Sequence, residues 1–135
     1  MKSYVLDASA TLDFLENGVG AARVEQILNG AHKQENAVSM SVMNWGEVFY
    51  NVWQHHGEEA ARTAIGRLSR LPIEIVSVEQ AQALKAGEIK ALHKLSFVDC
   101  VAAALAELRS SILVTTDRDF QKLGRRIQVL WLARS

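Results

Sequence analysis

The chain has 135 residues, 49% of them apolar and 22% charged, and Lys+Arg and Asp+Glu both total 15. That length suits one domain, residues 1–135, able to bury roughly two-thirds of its unfolded surface. A zero net charge excludes the overall basic field of a protein that holds nucleic acid by charge alone.

A single cysteine, Cys100, excludes an internal disulfide framework and fits a reducing compartment. No apolar run approaches a membrane span, and Asp7 interrupts the first apolar segment where a signal peptide would not tolerate it. The expectation is a cytoplasmic protein with no membrane partner.

Ser3 to Leu6 reads as a short buried strand bounded by Asp7. Ala10 to Glu16 has helical spacing and stops at Asn17-Gly18; Ala22 to Leu28 is a second helix, closed by Asn29-Gly30. Ala37 to Val42 is a strand weakened by its serines. Asn44 to His55 is helical, with Trp45, Val48, Phe49, Val52 and Trp53 on one broad face. Glu58 to Leu71 is another helix, ended by Pro72. Ile73 to Val78 alternates and is β-branched, hence a strand. Glu79 to His93 and Phe97 to Arg109 are helices, the latter almost wholly apolar at its centre. Ile112 to Thr115 and Ile127 to Leu132 complete the strands.

Strands alternating with helices imply βαβ units and a largely parallel sheet covered on both faces. In such a sheet ligands gather outside the carboxyl ends of the strands. Asp7 and Asp117 lie where strands end, with Asp119 just beyond. Glu47 is placed in the first turn of the helix after the second strand, and Asp99 in the first turn of the helix before the fourth.

Each acid alone has a simpler explanation. Asn44–Glu47, Ser96–Asp99 and Thr116–Asp119 all match the capping-box spacing. Asp7 and Asp117 fit less well as caps and could be turn formers. Taken together, the acids point elsewhere. Two carboxylates about 5 Å apart repel by about 1–3 kcal/mol near a protein surface, so a cluster needs raised pKa values or a bound cation. Hard oxygen donors select Mg²⁺ or Mn²⁺, and such ions suit phosphodiester hydrolysis. A neutral protein could then hold RNA through locally supplied positive charge.

Other residues carry less. Cys100 follows Asp99, whose charge disfavours a thiolate, so it reads as a buried structural residue. His32, His55, His56 and His93 sit at helix ends, and no spacing fits zinc. Trp45, Phe49 and Trp53 read as core or a dimer face. Arg118, Lys122, Arg125 and Arg126 form the best basic cluster, either a solvated face or an RNA-phosphate contact.

With these residues assembled, the sequence resembles the PIN-domain ribonucleases, specifically VapC-type toxins of type II toxin–antitoxin systems. The resemblance runs through Val5-Leu6-Asp7-Ala8-Ser9, Asn44-Trp45-Gly46-Glu47-Val48-Phe49-Tyr50, Leu95 to Ala106, Val114-Thr115-Thr116-Asp117-Arg118-Asp119-Phe120 and Val129-Leu130-Trp131-Leu132. It implies a three-layer α/β sandwich whose five-stranded parallel sheet has the order 3-2-1-4-5. It implies that Asp7, Glu47, Asp99 and Asp117 are the catalytic acids and hold Mg²⁺ or Mn²⁺, supported by Ser9, Thr115 and Asp119. It further implies cleavage of RNA, often transfer RNA, a homodimer, and a VapB-type antitoxin. Thr116 stands where the family commonly has glycine, and Cys100 where it has alanine.

Two other readings compete with it. A catalytically silent interaction domain would use the acids as caps. An aspartate-based phosphotransferase would phosphorylate Asp7, but Ser9 stands where a second acid is needed and no lysine follows the last strand.

Overall fold

The computed structural model describes residues 1–134; Ser135, the last residue of the expected domain, lies outside them. Its elements are β1 (Lys2–Leu6), α1 (Ala8–Leu15), α2 (Ala21–His32), β2 (Asn36–Ser41), α3 (Val42–His56), α4 (Glu58–Ser69), β3 (Glu74–Val76), α5 (Gln80–Leu92), α6 (Phe97–Leu108), β4 (Ile112–Thr115) and β5 (Gln128–Trp131). A 3-10 helix, Arg118–Leu123, which the spacing does not predict, follows β4. The sheet order is β3-β2-β1-β4-β5 with every pair parallel, as the resemblance implies. A receiver-type phosphotransferase would instead have the order 2-1-3-4-5, so the receiver form of that alternative fails on topology.

Period-two alternation sorts β1 between two cores. Tyr4 and Leu6 join Val38, Met40 and Val114 against Val24, Ile27 and Leu28 of α2. Val5 joins Leu113 on the opposite face, against Ala102–Ala104 of α6 and Ala86 and Ile89 of α5. The small alanines let α6 approach the sheet closely. A third cluster of Ala8, Val48 and Leu68 ties α1 to the α3–α4 pair. Truncating a fully buried member such as Leu113 to alanine would cost about 2–5 kcal/mol.

Several boundaries differ from the sequence expectations, each for a local reason. α1 starts at Ala8, not Ala10, because Asp7 is its N-cap and accepts from the Ala10 N–H at 2.9 Å. α3 starts at Val42, not Asn44, because Ser41 caps it, accepting from Met43 N–H at 3.1 Å. This puts Glu47 in the second turn rather than the first. Of the expected capping residues only Ser96 caps, accepting from Asp99 N–H at 3.2 Å. Asn44 and Thr116 do not, whereas Asp117 caps the 3-10 helix through Asp119 N–H at 2.9 Å. β3 is shorter than Ile73 to Val78 because only Glu74–Val76 pair with β2.

Candidate metal and nuclease site

The parallel register of β1 and β4 builds the site. Leu6 lies opposite Val114, so the next residues, Asp7 and Thr115, emerge together at the carboxyl edge of the two central strands. Thr115 donates its hydroxyl to Asp7 Oδ2, and the Ser9 hydroxyl donates to Oδ1 at 2.8 Å. Those two hydroxyls are themselves 3.1 Å apart. Ser9 Oγ accepts from Thr116 N–H at 3.0 Å, and Thr115 Oγ1 from Asp117 N–H at 2.9 Å. The β4 exit is thereby stitched to the start of α1, and the stitching places Asp117 beside the site.

Asp7 is 3% exposed. Burial raises its pKa to about 6, although the hydrogen bonds from Thr115, Ala10 and Ser9 oppose the rise. Oδ1 accepts from Ser9 and Ala10, and Oδ2 from Thr115 alone. With roughly four lone-pair positions on a carboxylate, Oδ2 keeps one free for a further partner.

Asp99 reaches the same edge from the first turn of α6. Burial raises it too, to about 6; the Ser96 hydroxyl opposes this, and the charges of Asp117, Glu47 and Asp119 add to it. Asp99 in turn contributes to the rise at Asp7. The five expected acids, drawn from separate parts of the chain, therefore share one electrostatic field.

The half-buried Glu47 is held from within its own helix, by the Asn44 side-chain amide at 3.1 Å. The capping-box spacing assigns Asn44 only a cap and misses this role. The pattern Ser41-x-x-Asn44-x-x-Glu47 is the available signal: the serine is the better cap, which releases the asparagine to reach forward one turn.

A hard divalent cation fits this donor set, which is all oxygen and carries mutually repelling negative charge. Among the described residues, no three His, Cys, Asp or Glu side chains close around a point as an ion cage would require. Asp7 and Asp99 are the two acids whose burial most favours a counter-charge.

The other expected residues are placed elsewhere. Arg118 donates to the Leu132 carbonyl at 3.1 Å and lies over the Trp131 ring at 5.0 Å. Lys122 donates to the Lys94 carbonyl at 2.8 Å. Arg126 pairs with Glu107 at 2.8 Å and Glu88 at 2.7 Å, beyond the far end of α6 from Asp99. Arg125 is exposed. The four bases thus do not act as one patch. Cys100 is fully buried, and burial pushes its thiol up. Trp45 is half-buried and packs against two of the core clusters, whereas Phe49 and Trp53 meet edge to face at 5.6 Å beneath Arg62 and Trp53 is exposed, so the stripe runs from core at Trp45 to surface at Trp53.

Against known families, the sequence profile of the PIN domain matches residues 4–126. The chain belongs to the PIN domain family. Solved structures agree on the fold. VapBC2 of Rickettsia felis, bound to a DNA fragment from its promoter, superposes with a TM-score of 0.79 at 15% identity, covering 97% of this chain and 99% of that one. DNA-bound VapBC of Salmonella typhimurium gives 0.75 at 18%, covering 96% and 98%. VapC20 of Mycobacterium tuberculosis, a sarcin–ricin-loop-cleaving toxin, gives 0.66 at 20%, covering 90% and 95%. Comparison with curated proteins gives no match. Among the described residues of this PIN domain, no helix is long and apolar enough to cross a membrane.

Proposed function

We propose that this PIN domain, a single unit over residues 1–135, is a VapC-type toxin of a type II toxin–antitoxin system and a cytoplasmic, Mg²⁺- or Mn²⁺-dependent endoribonuclease. One observation supports the reading: the charges of Asp117, Glu47 and Asp119, from separate elements, all bear on Asp99, and the charge of Asp99 bears in turn on Asp7. When bound, a divalent ion would supply an activated water and neutralise phosphate charge. The chain's residues prepare for this. Ser9, Ala10 and Thr115 orient the Asp7 carboxylate, Asn44 orients Glu47, and the Asp119 N–H fixes Asp117. In-line attack by water would leave a 5′-phosphate and a 3′-hydroxyl. Transfer RNA or another translation-linked RNA is the substrate class we assign, and a homodimer the working unit.

A VapB-type antitoxin is the proposed partner. A groove of about 930 Å³ runs between α1 and the α3–α4 pair, floored by Leu12, Leu15, Val52 and Ala64 with Glu59 and Arg67 at its sides. Its apolar floor and charged rim suit an amphipathic helix.

The silent interaction domain keeps one observation in its favour, since Asp7 and Asp117 do serve as N-caps. Cleavage separates the two readings. With Mg²⁺ and bulk transfer RNA, the wild type should cut, and Asp7→Asn or Asp99→Asn should lose on the order of 10²-fold or more, the equivalent of several kcal/mol. Wild-type rates in either variant would refute the ligand assignment.

A further inference from the structure

Trp131 closes β5 in register with Thr115, the residue that donates to Asp7 from the end of β4. Strand residues alternate between faces, and Val5, Leu113 and Val129 lie two positions before Asp7, Thr115 and Trp131. All three pack in the core cluster that holds Ala102–Ala104 of α6. Asp7, Thr115 and Trp131 therefore leave three neighbouring strands on one face, the face covered by the helix whose first turn carries Asp99. Two strand spacings put Trp131 about 10 Å from Asp7, within reach of a nucleotide beside the bond being cut.

Trp131 is 36% exposed. The Arg118 guanidinium lies over its ring, 5.0 Å from the centre, so the exposed surface belongs to the rest of the indole. Arg118 Nη2 donates to the Leu132 carbonyl at 3.1 Å, and Nη1 is buried with no hydrogen-bond partner among the described residues. The guanidinium is thus spent on the ring and the strand end rather than held out toward a phosphate, and its stacking braces the indole plane. As cover for a sheet edge alone, an indole left one-third in water is a poor choice.

We propose that Trp131, braced by Arg118, is a stacking platform for a nucleobase of single-stranded RNA beside the acidic site. The inference rests on the ribonuclease reading above and adds a base-binding subsite to it. Every base has a π-face that stacks on an aromatic ring, and a neutral base escapes the repulsion that the acids exert on phosphates. Trp131 thereby gives a chain of zero net charge a hold on its substrate that does not depend on charge. It also directs cleavage to unpaired stretches, where a base can be splayed onto the ring.

The test compares the wild type with Trp131→Leu in the full chain, on bulk transfer RNA with Mg²⁺. Loss of one stacked base should lower kcat/KM by about tenfold to a hundredfold, chiefly through KM, and Trp131→Phe should recover most of it. Mn²⁺ affinity by calorimetry should stay unchanged in both variants, because no carboxylate has been touched. A folded Trp131→Leu with a lower melting temperature but wild-type kcat/KM would make the ring a structural cover and overturn the proposal. Should that variant fold poorly, the wild type decides without metal, through the Trp131 indole N–H resonance, assigned by its absence from Trp131→Phe. It should shift on titration with a short adenosine oligonucleotide and stay still with an abasic oligomer of the same length and phosphate count. Movement with both, or with neither, refutes stacking. A wild type that cuts no RNA sinks the ribonuclease reading and the platform with it, whereas cleavage indifferent to Trp131 removes the platform alone.

Discussion

Thr115, at the end of β4, donates its hydroxyl to the carboxylate of Asp7, at the end of β1 and 108 positions earlier in the chain. Two neighbouring parallel strands are thus locked together at the edge where ligands bind. Thr115→Val keeps the shape but strands Asp7 Oδ2 and the Asp117 N–H. It should destabilise the fold by about 1–3 kcal/mol, while Thr115→Ser should retain most of the stability. Urea denaturation of the two variants side by side checks this; equal loss in both would mean that packing of the methyl group, not the hydroxyl, matters.

Stability without divalent ions should fall as pH rises through about 6. Burial holds Asp7 and Asp99 at about 6 in the folded state, against 3.8 for an ordinary aspartate. Between those values the folded protein binds more protons than the unfolded chain. The contribution is therefore complete below the unfolded value and lost as pH climbs past the folded one. For Asp7 it amounts to about 3 kcal/mol at most, and less for the partly exposed Asp99. Melting curves at about pH 5 and about pH 7.5 should differ for the wild type, and the gap should shrink in Asp7→Asn. Mg²⁺ should raise the melting temperature more at the higher pH. An unchanged gap in the variant would remove Asp7 as its source.

The sequence is most legible where one residue has one job. The strand ends at Asp7 and Thr115 stand out because a polar residue closes an apolar run, and the parallel sheet follows from the alternation of elements. Caps are harder to read because several residues could fill one role. Asn44 and Thr116 match the capping spacing, but Ser41 and Asp117 lie closer to the true helix starts and take the backbone N–H groups instead. The basic cluster near residues 118–126 is close in sequence yet disperses in space. The turn around Gly124, whose φ is 55°, redirects the chain before β5 and sends Arg126 toward Glu88 and Glu107.

That dispersal separates the roles of the four bases. Arg126→Ala should cost about 1 kcal/mol through loss of its ion-pair network and leave RNA cleavage unchanged. Lys122→Ala and Arg125→Ala should each weaken RNA binding and flatten the slope of log affinity against log salt by about 0.7–0.9 for every phosphate the side chain neutralises. Filter binding over a range of salt concentrations distinguishes them. A salt slope that neither substitution moves would make these lysine and arginine residues a solvated face.

Ala64 lines the groove between α1 and α4 and lies outside the acidic cluster. Ala64→Arg should fill the groove, abolish inhibition by the antitoxin and leave cleavage intact. An inhibition assay with the purified antitoxin tests it; full inhibition of the variant would move the docking site elsewhere.

Titration of the purified protein with Mn²⁺ by calorimetry, repeated on Asp7→Asn and Asp99→Asn, asks directly whether these acids share an ion. Saturable binding by the wild type that weakens about tenfold or more in each variant, and is untouched by Glu58→Gln on the surface of α4, is the result expected of acids that jointly hold an ion. Binding of equal strength in all four proteins, or none in the wild type, would contradict it.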